Sequence, residues 1–164
     1  MILSVTILAF IALQRLAELA WARANERRLK AAGAVEVGAA HYPVIVLLHT
    51  VWVLWLCYAG WNRPVMLPWL ALFAVLQGLR LWVLATLGRR WTTRVLYIPG
   101  ETLVKRGPFR FISHPNYAVV ACEMFVGPMV FGLVRASIVF GLLNFAMLAW
   151  RIGVEERALK PLRT

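Results

Sequence analysis

The chain of 164 residues is 62% hydrophobic and 15% charged, and its mean hydropathy of +0.72 exceeds what a water-facing surface accommodates, which indicates a membrane protein. One compact unit fits in that length, and several spans leave no room for a separate soluble domain such as a Rossmann fold. The 18 Lys and Arg against seven acidic residues, all of them Glu, give a net charge of +11; in a membrane chain this reads first as basic loops meeting anionic lipid, not as a nucleic-acid partner.

A hydrocarbon layer about 30 Å thick takes about 20 helical residues. Five apolar stretches near that length predict transmembrane helices over 2–22, 42–60, 66–86, 117–134 and 136–152, an all-α integral membrane protein. The first stretch has no Lys or Arg up to Ala12 and outruns a signal-peptide core, so it reads as a retained helix. Within it Arg15 and Glu18 stand three apart on one helical face, and Gln77 and Arg80 repeat that spacing in the third span. A charge left in hydrocarbon costs about 2.5 to 3.5 kcal/mol, so these residues should either clamp helices together or line a substrate cleft. Glu123, in the fourth span, shares a face with Asn116 and needs a donor, which Arg15 or Arg80 could supply. Cys57 and Cys122 lie in apolar stretches without a CxxC partner and read as core thiols. Three scattered His residues make no metal shell.

Residues 87–116 are too long for a minimal connector, and Pro99-Gly100 and Gly107-Pro108 are turn signals. This loop should fold over the helix ends as a functional segment. Its composition also fits an interface strip, with Lys105, Arg106 and Arg110 at headgroups and Trp91, Tyr97, Phe109 and Phe111 in an aromatic belt. At the end of the fifth span Asn144, Arg151 and Glu155, spaced by seven and four, form one polar stripe with Glu156 beside it. Arg151 and Glu155 either pair on a solvated helix end or help close a pocket beneath the loop. Four cations lie between Arg23 and Lys30, six between Arg89 and Arg110, and four from Arg151 onward; Arg63 and Arg135 occupy the opposite loops. The positive-inside rule then puts the N-terminus outside the cell's inner membrane, and the C-terminus and the long loop in the cytoplasm. The chain thus reads as one domain: three spans over 1–86, the loop over 87–116, and a helical hairpin with a polar final helix over 117–164.

The stretch GETLVKRGPFRFISHPNY, followed by an apolar hairpin and RIGVEERAL, resembles the isoprenylcysteine carboxyl methyltransferase family. Its members are small integral-membrane enzymes that use S-adenosylmethionine to methylate a lipid-bearing acceptor. The resemblance implies that Glu101, Leu103, Val104 and Phe109 contact the cofactor, and that His114, Pro115, Asn116 and Tyr117 line the same pocket. It implies that Glu155 holds the ribose or polar end of the cofactor, and that Arg151 anchors the acceptor's anion beside the transferred methyl. For a phenolic acceptor, His114 or Glu155 would be the base. The N-terminal stretch QRLAELAWARANERRLKAAGAVEVGAAHYPVIVLLH resembles bacterial members that O-methylate alkylpyrones or alkylresorcinols. That implies a long-tailed phenol or enol as acceptor and a polyketide synthase as pathway partner. Glu36, His41 and His49 would then lie near the acceptor or serve the fold. The rival functions are carboxyl methylation of isoprenylcysteine, N-methylation of a phospholipid amine, an NADPH-dependent sterol-type reductase, and a non-catalytic membrane scaffold.

Overall fold

The computed structural model describes residues 1–102 and 104–159. Five α-helices follow in chain order: α1 (Ile2–Ala31), α2 (Tyr42–Gly60), α3 (Leu67–Leu87), α4 (Pro115–Met129) and α5 (Val134–Leu159). Pro43, Pro68 and Pro115 sit in the first two positions of α2, α3 and α4, where the missing N–H is no loss and the fixed φ favours helix entry. Gly88, at φ +52, closes α3.

Among the described residues, four helical stretches are long and apolar enough to cross a membrane: Ile2–Ala31, Ala39–Gly60, Leu67–Arg90 and Val134–Arg157. The fourth expected span, 117–134, falls short of that measure, because α4 stops at Met129 after 15 residues, about 22 Å. The chain then turns through Gly132, at φ +66, into α5. The first and last helices exceed their expected bounds. The 30 residues of α1 extend to about 45 Å at 1.5 Å each, so its basic final turns run on as helix beyond a hydrocarbon layer.

The burial pattern is that of a protein in lipid. Large apolar side chains face outward on every long helix, among them Phe10, Leu13, Leu47, Leu54, Leu81, Leu142 and Phe145, while Glu18, Arg80, Glu123, Asn144 and Arg151 are buried. Outward apolar faces of that extent would be untenable in water. The protein is a multi-pass membrane protein.

Two elements hold the bundle together. The first is an apolar core around Ile11, Trp52, Leu56, Met124 and Phe131. Here Gly127 matters for its missing side chain: a Cβ at that position would stand 2.7 Å from Trp52 Cζ2, so glycine lets the fully buried indole seat against α4. The second is a polar cluster joining α1, α3 and α4. Arg80 donates to both Glu18 oxygens at 2.5 Å and to Glu123 at 2.8 Å. Arg15 donates to Glu18 at 3.2 Å and to Glu123 at 2.7 Å. Gln77 completes the Glu123 shell at 2.9 Å. Both arginines therefore serve the carboxylate for which the sequence offered either. With two cations and two anions the cluster is neutral, the condition under which buried charge is tolerated.

A short antiparallel pair departs from the purely helical expectation: β1 (Val35–Val37) pairs with β2 (Val95–Tyr97), with Glu36 opposite Leu96. It fastens the α1–α2 connection to the long loop. Glu36 accepts from Lys30 at 2.8 Å and from Arg94, and Arg94 also reaches Glu26 at 3.1 Å. Burial pushes the Glu36 carboxyl up, but the Lys30 and Arg94 hydrogen bonds outweigh it and hold the group below its ordinary value. This residue, weighed as an acceptor neighbour, is tied into the strand pair.

Candidate active site

The long loop starts from a fixed point. Asn25, buried on α1, donates to the carbonyls of Gly88 at 3.2 Å and Trp91 at 2.8 Å, and Trp91 packs into a small core with Ala22 and Leu84. The loop then runs through β2 and doubles back, with Arg90 donating to Glu101 at 2.6 Å and to the Thr102 carbonyl at 3.1 Å. A single 3-10 turn at Gly107–Arg110 leads to His114, which caps α4. Under this arch lies a cavity of about 730 Å³, bordered by the loop and by the ends of α1, α3, α4 and α5.

At its floor three elements meet in a hydrogen-bonded chain. Arg151, buried on α5, donates from Nε to the Tyr117 hydroxyl at 2.7 Å and from a terminal nitrogen to the Thr93 carbonyl at 2.7 Å. The Tyr117 hydroxyl donates in turn to Glu155 at 2.5 Å. Arg151 and Glu155 therefore communicate through Tyr117, and the exposed i, i+4 pair considered from sequence does not describe them. The His114 ring stacks on Tyr117, with centroids 5.3 Å apart and planes 10° from parallel. Its nitrogens lie 3.9 Å from Glu155 and 3.6 Å from Glu156.

A second cavity of about 360 Å³ opens among α1, α2, α4 and α5, deeper in the bundle. Its walls are largely aliphatic, including Leu16, Ile45, Val53 and Leu54, with His49, Asn144 and the Arg15 side of the charge cluster among them. The two cavities share five bordering residues, Trp91, Thr92, Asn116, Tyr117 and Arg151. Asn116 Oδ1, on that shared wall, is buried without a hydrogen-bond partner among the described residues.

Of the residues expected at the site, Glu101, Val104, Phe109, His114, Asn116, Tyr117, Arg151 and Glu155 border the larger cavity. Pro115 does not: it is buried as the first residue of α4, where its ring starts the helix. Leu103 lies outside the described residues. His41 is buried beside Trp150 and borders neither cavity, whereas His49 borders the deeper one.

The family model of the isoprenylcysteine carboxyl methyltransferase (ICMT) family matches residues 69–161, more than half of the chain. The chain belongs to the ICMT family. It is also 38% identical over 159 residues to the uncharacterized protein YpbQ of Bacillus subtilis, with 94% of this chain and 95% of that protein covered. No solved structure matches the chain. The family match takes in α4, α5, the long loop and most of α3. It leaves out β1 and also α1 and α2, which supply one side of the deeper cavity, so the matched half holds most of the loop pocket and shares the second space with the N-terminal helices.

Sequence reasoning missed Thr92, Thr93 and Arg94 as site residues and assigned Trp91 and Tyr97 only to a membrane belt. Thr93 serves through its backbone carbonyl and through a hydroxyl contact of 3.0 Å to Tyr42. Nothing in the residue type announces a carbonyl. The available signal was the pair of short valine-rich runs VEV and VLY, whose pairing carries residues 91–94 to the mouth of α5.

Proposed function

We propose that the protein is an S-adenosylmethionine-dependent O-methyltransferase whose acceptor is a long-tailed phenol or enol delivered from the bilayer. The carrying observation is the five-residue wall shared by a cavity with charged and polar side chains at the helix ends and an aliphatic cavity within the bundle. A charged nucleoside and a lipid tail need different surroundings, and their reacting atoms need to meet at about 3 to 3.5 Å. Two cavities touching at one wall answer both needs.

The larger cavity fits the cofactor. About 730 Å³ falls in the range of roughly 300 to 1,000 Å³ typical of small-molecule sites. Trp91, Tyr97, Phe109 and Tyr117 offer aromatic faces, Glu101 and Glu155 offer carboxylates, and Lys105 and Arg110 offer cations along one rim. The unpartnered Asn116 Oδ1 is an acceptor in want of a donor. When bound, S-adenosylmethionine supplies an electrophilic methyl on a sulfonium sulfur, which the acceptor oxygen takes as the carbon–sulfur bond breaks. Glu155 receives a cofactor hydroxyl or the amino group. Tyr117, bridging Glu155 and Arg151, fixes the two ends of the site relative to each other. Arg151 holds the acceptor oxygen in its anionic form, and His114 beside Glu155 takes its proton where the oxygen arrives protonated. Opposite charges disappear as the methyl moves, so the apolar walls favour transfer. The loop and the C-terminus face the cytoplasm, where the cofactor is, and the tail stays in lipid.

The test is methyl transfer in proteoliposomes from labelled S-adenosylmethionine, offered an alkylresorcinol, an alkyl hydroxypyrone and N-acetyl-S-farnesylcysteine. Label should appear on the first two, and S-adenosylhomocysteine, not NADPH, should raise the melting temperature. Arg151→Ala should lower turnover at least about 100-fold, the scale of losing one preorganised charge-stabilising donor. Label on the farnesylcysteine alone would move the acceptor to the carboxyl class, and absence of both transfer and cofactor binding would end the proposal.

A further inference from the structure

Asn144 stands on α5 two turns before Arg151, on the same stripe, and about 10 Å deeper in the bundle at 1.5 Å per residue. It is 1% exposed and borders the second cavity. Neither its Oδ1 nor its Nδ2 has a hydrogen-bond partner among the described residues. An amide buried in this way is costly, and a leucine of the same shape would serve packing better. The side chain has the donor and acceptor of a binding group and no use for them within the fold.

From α2, His49 borders the same cavity. Its Nδ1 meets the Ile45 carbonyl at 2.9 Å. A carbonyl only accepts, so Nδ1 carries the proton, and Nε2 of the neutral ring presents a lone pair. The cavity thus has an amide on one helix and an imidazole acceptor on another, amid aliphatic walls.

We propose that Asn144 and His49 form a second polar subsite, which hydrogen-bonds an oxygen of the acceptor head group other than the one methylated. The inference rests on the acceptor reading above and extends it. A hydroxyl satisfies both partners at once, donating to His49 Nε2 and accepting from Asn144 Nδ2. The depth between Arg151 and Asn144 selects the chemistry further. A head group that engages both carries two oxygens set apart by a ring, whereas a lone carboxylate serves only one of them. The subsite is therefore a specificity filter for dioxygenated rings.

The experiment compares the binding of pentadecylresorcinol and meta-pentadecylphenol, which differ by one hydroxyl, to the full chain in detergent by calorimetry. The wild type should prefer the diol about tenfold or more, since a site built to bond a hydroxyl discriminates against the analogue that lacks it. Asn144→Leu and His49→Phe should bring that ratio close to one while leaving the phenol's affinity and that of S-adenosylhomocysteine unchanged. If Asn144→Leu loses S-adenosylhomocysteine binding, Asn144→Ala carries the same comparison. A wild type that binds neither ring, or binds both equally, overturns the proposal, as does a diol preference that survives the Asn144 variants. Loss of the methyltransferase reading has a separate signature: a wild type that discriminates the rings but binds no S-adenosylhomocysteine.

Discussion

Tyr117 decides the geometry of the site because its hydroxyl does two things at once, accepting from Arg151 and donating to Glu155. The arginine's other anchor, the Thr93 carbonyl, restrains one terminal nitrogen but leaves Nε without direction once the hydroxyl is gone. Hydrogen bonds to charged groups contribute about 1.5 to 3 kcal/mol, which corresponds to roughly 10- to 150-fold. Tyr117→Phe keeps the ring stacked on His114 and removes only the link. We expect its kcat/KM to fall at least about tenfold with helical circular dichroism intact, and its S-adenosylhomocysteine affinity to weaken through Glu155. An unchanged rate would make the hydroxyl a bystander. The arginine and the glutamate were legible from the sequence as a stripe on one helix; the tyrosine's place between them was not, because it arrives from a different helix.

Among the elements, α1, α3 and α4 are joined by the neutral cluster of Arg15, Glu18, Arg80 and Glu123 as well as by apolar contact. Arg80 is its hub, touching both carboxylates. Removing one member of a buried charge network costs about 3 to 5 kcal/mol, whereas replacing an opposed pair by apolar side chains is often neutral. Arg80→Leu should therefore melt well below the wild type in detergent micelles, and Arg80→Leu with Glu18→Leu should recover most of the loss. A double variant no more stable than the single one would show that position, not charge balance, is what the cluster supplies. The i, i+3 spacing announced that these side chains would be buried, and the cost of membrane charge made a partner necessary. Which partner was a matter of helix packing. The same limit applies to β1 and β2, each three residues long and with paired residues 58 or more positions apart in the sequence, too short for any local pattern to register.

For the molecule as a whole, the distribution of Lys and Arg over the loops sets the expected orientation. The larger cavity, bordered by Arg90, Arg94, Lys105 and Arg110, lies on the cation-rich side of the bundle. In a background with Cys57 and Cys122 replaced, a cysteine at Arg63 should react with a membrane-impermeant maleimide on intact cells, and one at Gly100 only after permeabilisation. The reverse pattern would invert the topology and put the cavity on the side that lacks the cofactor.

Composition, apolar run length and the loop and helix motifs were enough to determine a membrane bundle, the family and a set of loop and helix residues that border the larger cavity, because each is a property of one contiguous stretch of chain. The second cavity, the wall it shares with the first and the unpartnered Asn144 belong to no stretch. They exist only where side chains of α1, α2, α4 and α5 meet across the bundle, a balance of side-chain volumes across helices that no single helix encodes.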